Sequence, residues 1–76
     1  MQELVEYIAK PLVDRPEEVR VSLEEKEDVT VLHLSVAKED LGKIIGRQGR
    51  TARALRTLVN AASAKQERRC ILEIEE

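Results

Sequence analysis

The fold of this chain is decided by residues 41–50, LGKIIGRQGR, in which two helical segments meet across a loop that contains two glycines. Gly46 alone would be explained as the left-handed residue that ends a helix. Gly49 is not explained in that way, and with both side chains missing the loop backbone can come within contact distance of a ligand. The N–H groups of the loop and of the next helix would then face that ligand, and Arg47 and Gln48 can both hydrogen-bond to phosphate oxygens. The stretch therefore predicts a loop between two helices that cradles a sugar-phosphate backbone.

Hydrophobic periodicity predicts three helices and three strands along the chain. We expect a helix over residues 2–10, a short helix from Glu39 to Gly46, and a long helix from after Gly49 to about Lys65. The expected strands lie around residues 19–23 and 31–36 and over 69–75, and a hairpin loop over 25–28 joins the first two. On the second strand, the alternation directs Leu32 and Leu34 to the core and His33 to the opposite face. Cys70 is predicted to be a small apolar residue of the last strand. The predicted fold class is α+β, with a three-stranded sheet packed on three helices.

The composition restricts both the kind of domain and its chemistry. With 76 residues, 42% apolar and 37% charged, the chain can form one small domain over residues 1–76 and is too hydrophobic for a disordered tail. Tyr7 is its one aromatic residue, so bases have no stacking platform, which argues against RRM, cold-shock and OB domains. One cysteine and one histidine form neither a disulfide nor a zinc site, and no nucleophile-base set can be assembled. We therefore expect no enzymatic activity, metal or cofactor, and, without a signal peptide or long apolar segment, a cytoplasmic location.

Charge is distributed unevenly along the chain. Residues 38–69 hold nine basic and three acidic side chains, a net charge of +6, whereas residues 1–37 carry −5 and residues 70–76 carry −3. A basic middle in an acidic chain indicates one local anionic ligand rather than general polyanion binding. The alternative is an ordinary solvated surface.

The stretch from Leu41 to Arg50 resembles the Ile-Gly-x-x-Gly core of a KH domain. The predicted element order is similar to that of the type II variant, in which a helix and a strand precede the shared strand-helix-helix-strand unit. Over essentially its whole length, the chain resembles the small bacterial single-domain KH proteins of the KhpA type. The resemblance implies an RNA-binding protein that clamps about four nucleotides of single-stranded RNA or DNA. It also implies self-association, pairing with a larger KH-containing protein of the KhpB or Jag type, and a role in cell shape.

The resemblance also implies which residues form the site. Those that would hold the backbone or give the bases an apolar floor are Gly46, Arg47, Gln48, Gly49, Ile44 and Ile45. Lys43, Arg50 and Arg53 would add positive charge beside the loop, whereas Arg56 lies further round the helix and is interpreted as a surface residue. The opposite wall of the groove could contain Lys65, Arg68 and Arg69, although a basic turn before an edge strand is also typical of solvation.

The long helix has an apolar sector that is wider than one thin sheet needs. Leu55 and Val59 belong to the stripe that faces the core. Beside that stripe lie Leu58, Ala54 and Ala61, which form a candidate dimer surface because small residues let a second helix approach closely. The alternative is that Leu58 packs under the sheet of its own domain.

Together these observations predict an RNA-binding protein that acts as an RNA chaperone or post-transcriptional regulator, as a dimer or with a KhpB/Jag-type partner. The alternative is a protein-interaction module that uses the KH fold for dimerisation and binds little RNA of its own. The acidic net charge of −2 favours the alternative, and the intact pair of Arg47 and Gln48 favours RNA.

Overall fold

The computed structural model describes residues 1–64 and 69–75, and in these ranges three α-helices pack on a three-stranded sheet. In chain order the elements are α1 (Gln2–Ala9), β1 (Arg20–Glu25), β2 (Val29–Ser35), α2 (Leu41–Ile45), α3 (Arg50–Ser63) and β3 (Arg69–Ile74). Short 3-10 turns lie at Lys10–Leu12, Pro16–Glu18, Lys38–Asp40 and Arg47–Gly49. The predicted order of helices and strands and the α+β class are confirmed.

The sheet has β2 at its centre, paired antiparallel with β1 and parallel with β3. Leu32 of β2 lies opposite Leu23 of β1 and Leu72 of β3, so these three leucines occupy the same face of the sheet. Residues 26–28 close the antiparallel hairpin. The parallel pair requires a long crossover, which α2, the loop and α3 supply. The loop of residues 46–49 therefore lies in the crossover between the two parallel strands.

The core lies between the helices and the sheet and contains no aromatic side chain among the described residues. Its buried members are Val5, Ala9, Val19, Leu32, Leu34, Ile44, Leu55, Val59, Cys70 and Leu72. Leu32 and Leu34 have no exposed surface, as their alternation predicts, and the burial of Cys70 confirms its interpretation as a small apolar residue. His33 is half-buried on the opposite face, where its Nε2 lies 3.0 Å from Glu24 Oε1.

Two helix ends differ from their predicted positions. α1 ends at Ala9, because Pro11 has no N–H with which to continue the helix, and the chain forms a 3-10 turn instead. α3 ends at Ser63 rather than near Lys65, and the Ser63 hydroxyl donates a hydrogen bond of 3.0 Å to the Asn60 carbonyl. A serine side chain that bonds to the helix backbone in this way competes with the helical pattern. Lys65 and Arg68, two of the predicted groove residues, lie outside the described residues.

Candidate nucleic-acid interface

The loop between α2 and α3 is a single tight turn with three residues at positive φ. Gly46 has φ +77°, Gln48 has φ +57° and Gly49 has φ +73°. The N–H of Gly49 donates to the carbonyl of Gly46 at 3.1 Å, which closes the turn. A non-glycine residue in the left-handed region is uncommon, and Gln48 adopts it within a turn that begins at Gly46 and ends at Gly49.

The two glycines are required for different physical reasons. A Cβ at Gly46 would clash with the Thr51 side chain and lie 2.9 Å from the Thr51 backbone nitrogen, so Gly46 lets the loop pack on the first turn of α3. A Cβ at Gly49 would meet nothing within 4 Å, so its conformation alone favours glycine. The backbone beside Gly49 is therefore open on the side where a Cβ would project, as a close approach by a ligand requires.

The guanidinium groups of the arginines in the loop, along α3 and at the start of β3 are exposed and make no ion pair or hydrogen bond with another described residue. These arginines are Arg47, Arg50, Arg53, Arg56 and Arg69. By contrast, Arg15 lies 3.3 Å from Glu18 and 3.2 Å from Glu39. The positive charge beside the loop is therefore uncompensated within the described part of the chain, whereas Arg15, far from the loop in sequence, is paired with carboxylates.

Lys43 differs from the other cations that were predicted to bind RNA. Its Nζ donates a hydrogen bond to the Asp14 carboxylate and lies 3.9 Å from Asp40 Oδ1. The bond to Asp14 raises the pKa of Lys43 above its ordinary value, so the side chain stays protonated and remains bonded to Asp14. In the structure, Lys43 joins α2 to the segment after α1, and its charge is already compensated.

The two isoleucines before the loop do not share one environment. Ile44 has no exposed surface and belongs to the core, whereas Ile45 is half-buried. The prediction that both offer apolar surface to bases is therefore corrected for Ile44. This residue lies at a core-facing position of α2, two residues before the loop.

Asp40 is a buried carboxylate with a role that the sequence analysis missed. It is 1% exposed, and its two oxygens accept the backbone N–H groups of Asp14, at 3.2 Å, and Arg15, at 3.0 Å. Sequence reasoning treats Asp40 only as an acidic residue at the start of a helix, which is common in any protein. The contacts show that it ties the segment after α1 to the helix that precedes the loop.

Asp40→Ala should destabilise the protein by about 2–6 kcal/mol, because two partly buried N–H groups lose their acceptor at about 1–3 kcal/mol each. Asp40→Asn keeps one acceptor oxygen and should cost less. The matched control is Glu39→Ala, which removes an exposed ion pair with Arg15 that contributes about 0–1 kcal/mol. Urea unfolding of the variants measures the difference, and equal losses for Asp40→Ala and Glu39→Ala would contradict this role.

A cleft of about 250 Å³ lies between α3 and the edge strand β3. Its lining residues are Arg56, Asn60, Arg69, Ile71, Leu72 and Glu73. Arg56 is exposed, as predicted, but it lies at this cleft with Arg69 instead of apart from the candidate site. The angular position of Arg56 on the helix was calculable from sequence, whereas the position of β3 relative to that helix was not.

A second, largely apolar groove of about 320 Å³ lies between α1 and α3. Its lining residues are Ile8, Leu12, Arg50, Thr51, Ala54, Leu55 and Leu58. Leu58 is 46% exposed and Leu12 is 41% exposed, while Ala54 and Ala61 are also exposed. The alternative that Leu58 packs inside its own domain is therefore wrong, and the flank of α3 is surface.

Within the described ranges, no helix combines the length and the apolar character needed to span a membrane.

A three-stranded α+β fold in which a Gly-x-x-Gly turn joins two helices of the crossover defines the chain as a KH domain.

Comparisons with known proteins identify the family. The family model for the KH domain of KhpA/KhpB matches residues 2–74. The protein named RNA-binding protein KhpA of Halalkalibacterium halodurans is 57% identical over 76 residues, with 97% of each chain covered. The RNA-binding protein KhpA of Clostridium perfringens is 51% identical over 74 residues, with 97% of this chain and 99% of that protein covered. The RNA-binding protein KhpA of Borreliella burgdorferi is 54% identical over 72 residues, with 95% of this chain and 88% of that protein covered. No solved structure matches the chain significantly. The chain belongs to the KhpA/KhpB KH-domain family.

Proposed function

We propose that this chain is a single-domain RNA-binding protein, over residues 1–76, that clamps single-stranded RNA through Gly46, Arg47, Gln48 and Gly49. It acts as an RNA chaperone or post-transcriptional regulator in the bacterial cytoplasm, where its ligand is found. Two relatives that are 51% and 57% identical to it over nearly their full length carry the name RNA-binding protein KhpA, which supports the assignment. The role in cell shape that the family resemblance implies is part of the same proposal.

The observation that carries this proposal is an open, glycine-bearing turn with arginines at and beside it that make no ion pair with another described residue. Phosphate oxygens are acceptors, and backbone N–H groups with guanidinium groups are the donors that bind them. Because the chain has one aromatic residue, 80% exposed on α1, base stacking contributes little and phosphate contacts dominate the affinity. A modest affinity with strong salt dependence follows.

The proposed path of the RNA runs from the loop along α3. Arg47 and Gln48 hold one phosphate, and Arg50 and Arg53 follow on the first turns of the helix. Arg56 is six residues beyond Arg50, about 9 Å along the axis at 1.5 Å per residue. The cleft that it lines with Arg69 therefore lies within the length of a four-nucleotide strand held at the loop.

Binding of single-stranded RNA should weaken with salt at a log-log slope of about −2 to −3, since three or four phosphate contacts contribute about −0.7 each. Fluorescence anisotropy titrations between low and moderate salt measure the slope. Arg47→Gln should make the slope less negative by about 0.7. The matched control is Arg20→Gln, because Arg20 lies on β1 and donates to backbone carbonyls, and it should leave the slope unchanged. A slope near zero for the parent protein contradicts the phosphate clamp.

The apolar groove between α1 and α3 supports a second proposed activity, association with a partner chain. The exposed leucines at positions 12 and 58 and the small residues Ala54 and Ala61 form a surface on which a helix can pack closely. The proposed occupant is a second copy of this chain or a KhpB/Jag-type protein. If the chain dimerises and binds no RNA, the alternative of a protein-interaction module replaces the main proposal.

A further inference from the structure

Lys43 differs from the arginines near the loop because carboxylates of the same chain already compensate its charge. Its Nζ donates a hydrogen bond to Asp14 Oδ2 and lies 3.9 Å from Asp40 Oδ1. The guanidinium groups of Arg47 and Arg50, by contrast, make no ion pair with another described residue. A cation directly before the loop is therefore bonded to an acidic side chain while its neighbours are open to a ligand.

The two carboxylates beside Lys43 are held differently. Asp40 is 1% exposed and accepts the backbone N–H groups of Asp14 and Arg15, so its position is fixed by the fold. The side chain of Asp14 is 79% exposed. Because Asp40 binds the backbone of Asp14, the exposed carboxylate is kept next to Lys43. An exposed ion pair contributes little free energy, so another anion can displace the Asp14 carboxylate but not the buried one.

Lys43 lies close enough to the loop to reach a phosphate bound there. It precedes Gly46 by three residues, and the Gly46 N–H donates to the Gly42 carbonyl at 2.8 Å, so the helical turn continues into the loop. Residues three apart on a helix are neighbours on its surface, and the lysine ammonium ends a flexible stem. A phosphate at this ammonium would lie beside Asp14, and two anions repel each other. The carboxylate and the phosphate therefore compete for Lys43.

We propose that Asp14 weakens RNA binding by competing with an RNA phosphate for the ammonium group of Lys43. This inference rests on the proposed RNA-binding function. In the free protein Nζ donates to Asp14, and in the complex it donates to a phosphate oxygen while the Asp14 carboxylate turns to water. A competitor in the same chain acts at a high effective concentration, so it lowers the affinity without altering the loop. Asp14 is thus a residue that sets how tightly the RNA is held.

The test is Asp14→Asn, which removes the charge and keeps the shape of the side chain. The backbone N–H that Asp40 accepts is unchanged, so the variant should fold, and thermal melting checks this. Anisotropy with heptauridylate should show an affinity about two- to fivefold higher than that of the parent, the range expected from releasing an exposed ion pair. The log-log salt slope should become more negative by about 0.7, because Lys43 adds one phosphate contact.

The matched control is Glu17→Gln, which removes the same charge from an exposed position of the same segment. Glu17 is not among the bonding partners of Lys43, so this change should leave the salt slope at the parent value. A second comparison places Asp14→Asn in a Lys43→Gln background. There it should raise the affinity no more than Glu17→Gln does in the parent, since no ammonium remains to be released.

Three results would overturn the inference and leave the RNA-binding function standing. These are equal salt slopes for Asp14→Asn and Glu17→Gln, an undiminished gain in the Lys43→Gln background, and weaker RNA binding by a folded Asp14→Asn variant. Absence of RNA binding by the parent protein overturns the proposed function and this inference with it.

Discussion

Replacing Arg47 and Gln48 together by Asp should reduce the affinity for single-stranded RNA by at least about 100-fold, with the fold unchanged. The variant loses charge-assisted hydrogen bonds that contribute about 1.5–3 kcal/mol each and places two carboxylates where phosphates would lie. Both native side chains are exposed and bond to no other described residue. Gln48 has φ +57°, a region that aspartate adopts more readily than most residues, so the turn survives. Anisotropy measures the binding, and circular dichroism with thermal melting measures the fold.

The control for this variant is Lys10→Asp combined with Ser22→Asp, which makes the same change in net charge at exposed positions outside the loop. Long-range repulsion alone would weaken RNA binding similarly in both double variants. The site model requires that the control retain most of its affinity at moderate salt, where distant charges are screened. Normal RNA binding by the Arg47/Gln48 variant would exclude the loop as the site and favour the protein-interaction module.

Leu58→Asp should convert a dimer into a folded monomer. Since Leu58 is 46% exposed within one chain, a carboxylate at this position stays in water in the monomer and the core is unaffected. At a dimer interface the same carboxylate would be buried without a partner, which costs several kcal/mol. Sedimentation should show a monomer, and the dependence of the parent's melting temperature on protein concentration should disappear in the variant.

Leu23→Asp is the matched control for this experiment. Leu23 is 42% exposed on the edge strand β1, outside the groove between α1 and α3, so it should leave the dimer intact. A folded dimer of Leu58→Asp would show that another surface mediates association. An unfolded Leu58→Asp chain would contradict the surface position of Leu58.

The helices, the strands and the loop could be predicted because their signals are local. The two glycines, the alternation around Leu32 and Leu34, and the apolar spacing along α3 each act within a few residues. The parallel pairing of β3 with β2 did not follow from the order of elements, since a connection of two helices can join either parallel or antiparallel strands. Prediction was therefore most accurate where one physical rule applied to consecutive residues.

The parts of the site that were missed depend on partners distant in sequence. Asp40 bonds to a backbone N–H 26 residues away, and Lys43 bonds to a carboxylate 29 residues away. Neither pairing has a sequence pattern, because an aspartate at a helix start and a lysine before a glycine loop are both common on solvated surfaces. The position of Arg56 at the cleft was missed for a related reason, since a helical wheel gives an angle but not the position of the neighbouring strand.

The parallel pairing of the two strands also determines when this protein can fold during synthesis. Leu32 in the central strand can pair with Leu72 of β3 only after forty further residues have been translated. Until β3 leaves the ribosome, the crossover helices lack the buried side chains of Cys70 and Leu72, and loop-closure entropy opposes their packing. The left-handed turn at residues 46–49 is strained at Gln48 by about 1–2 kcal/mol and depends on packed helices on both sides. The nascent chain should therefore emerge with its basic segment unfolded and acquire the loop geometry in one late, cooperative step.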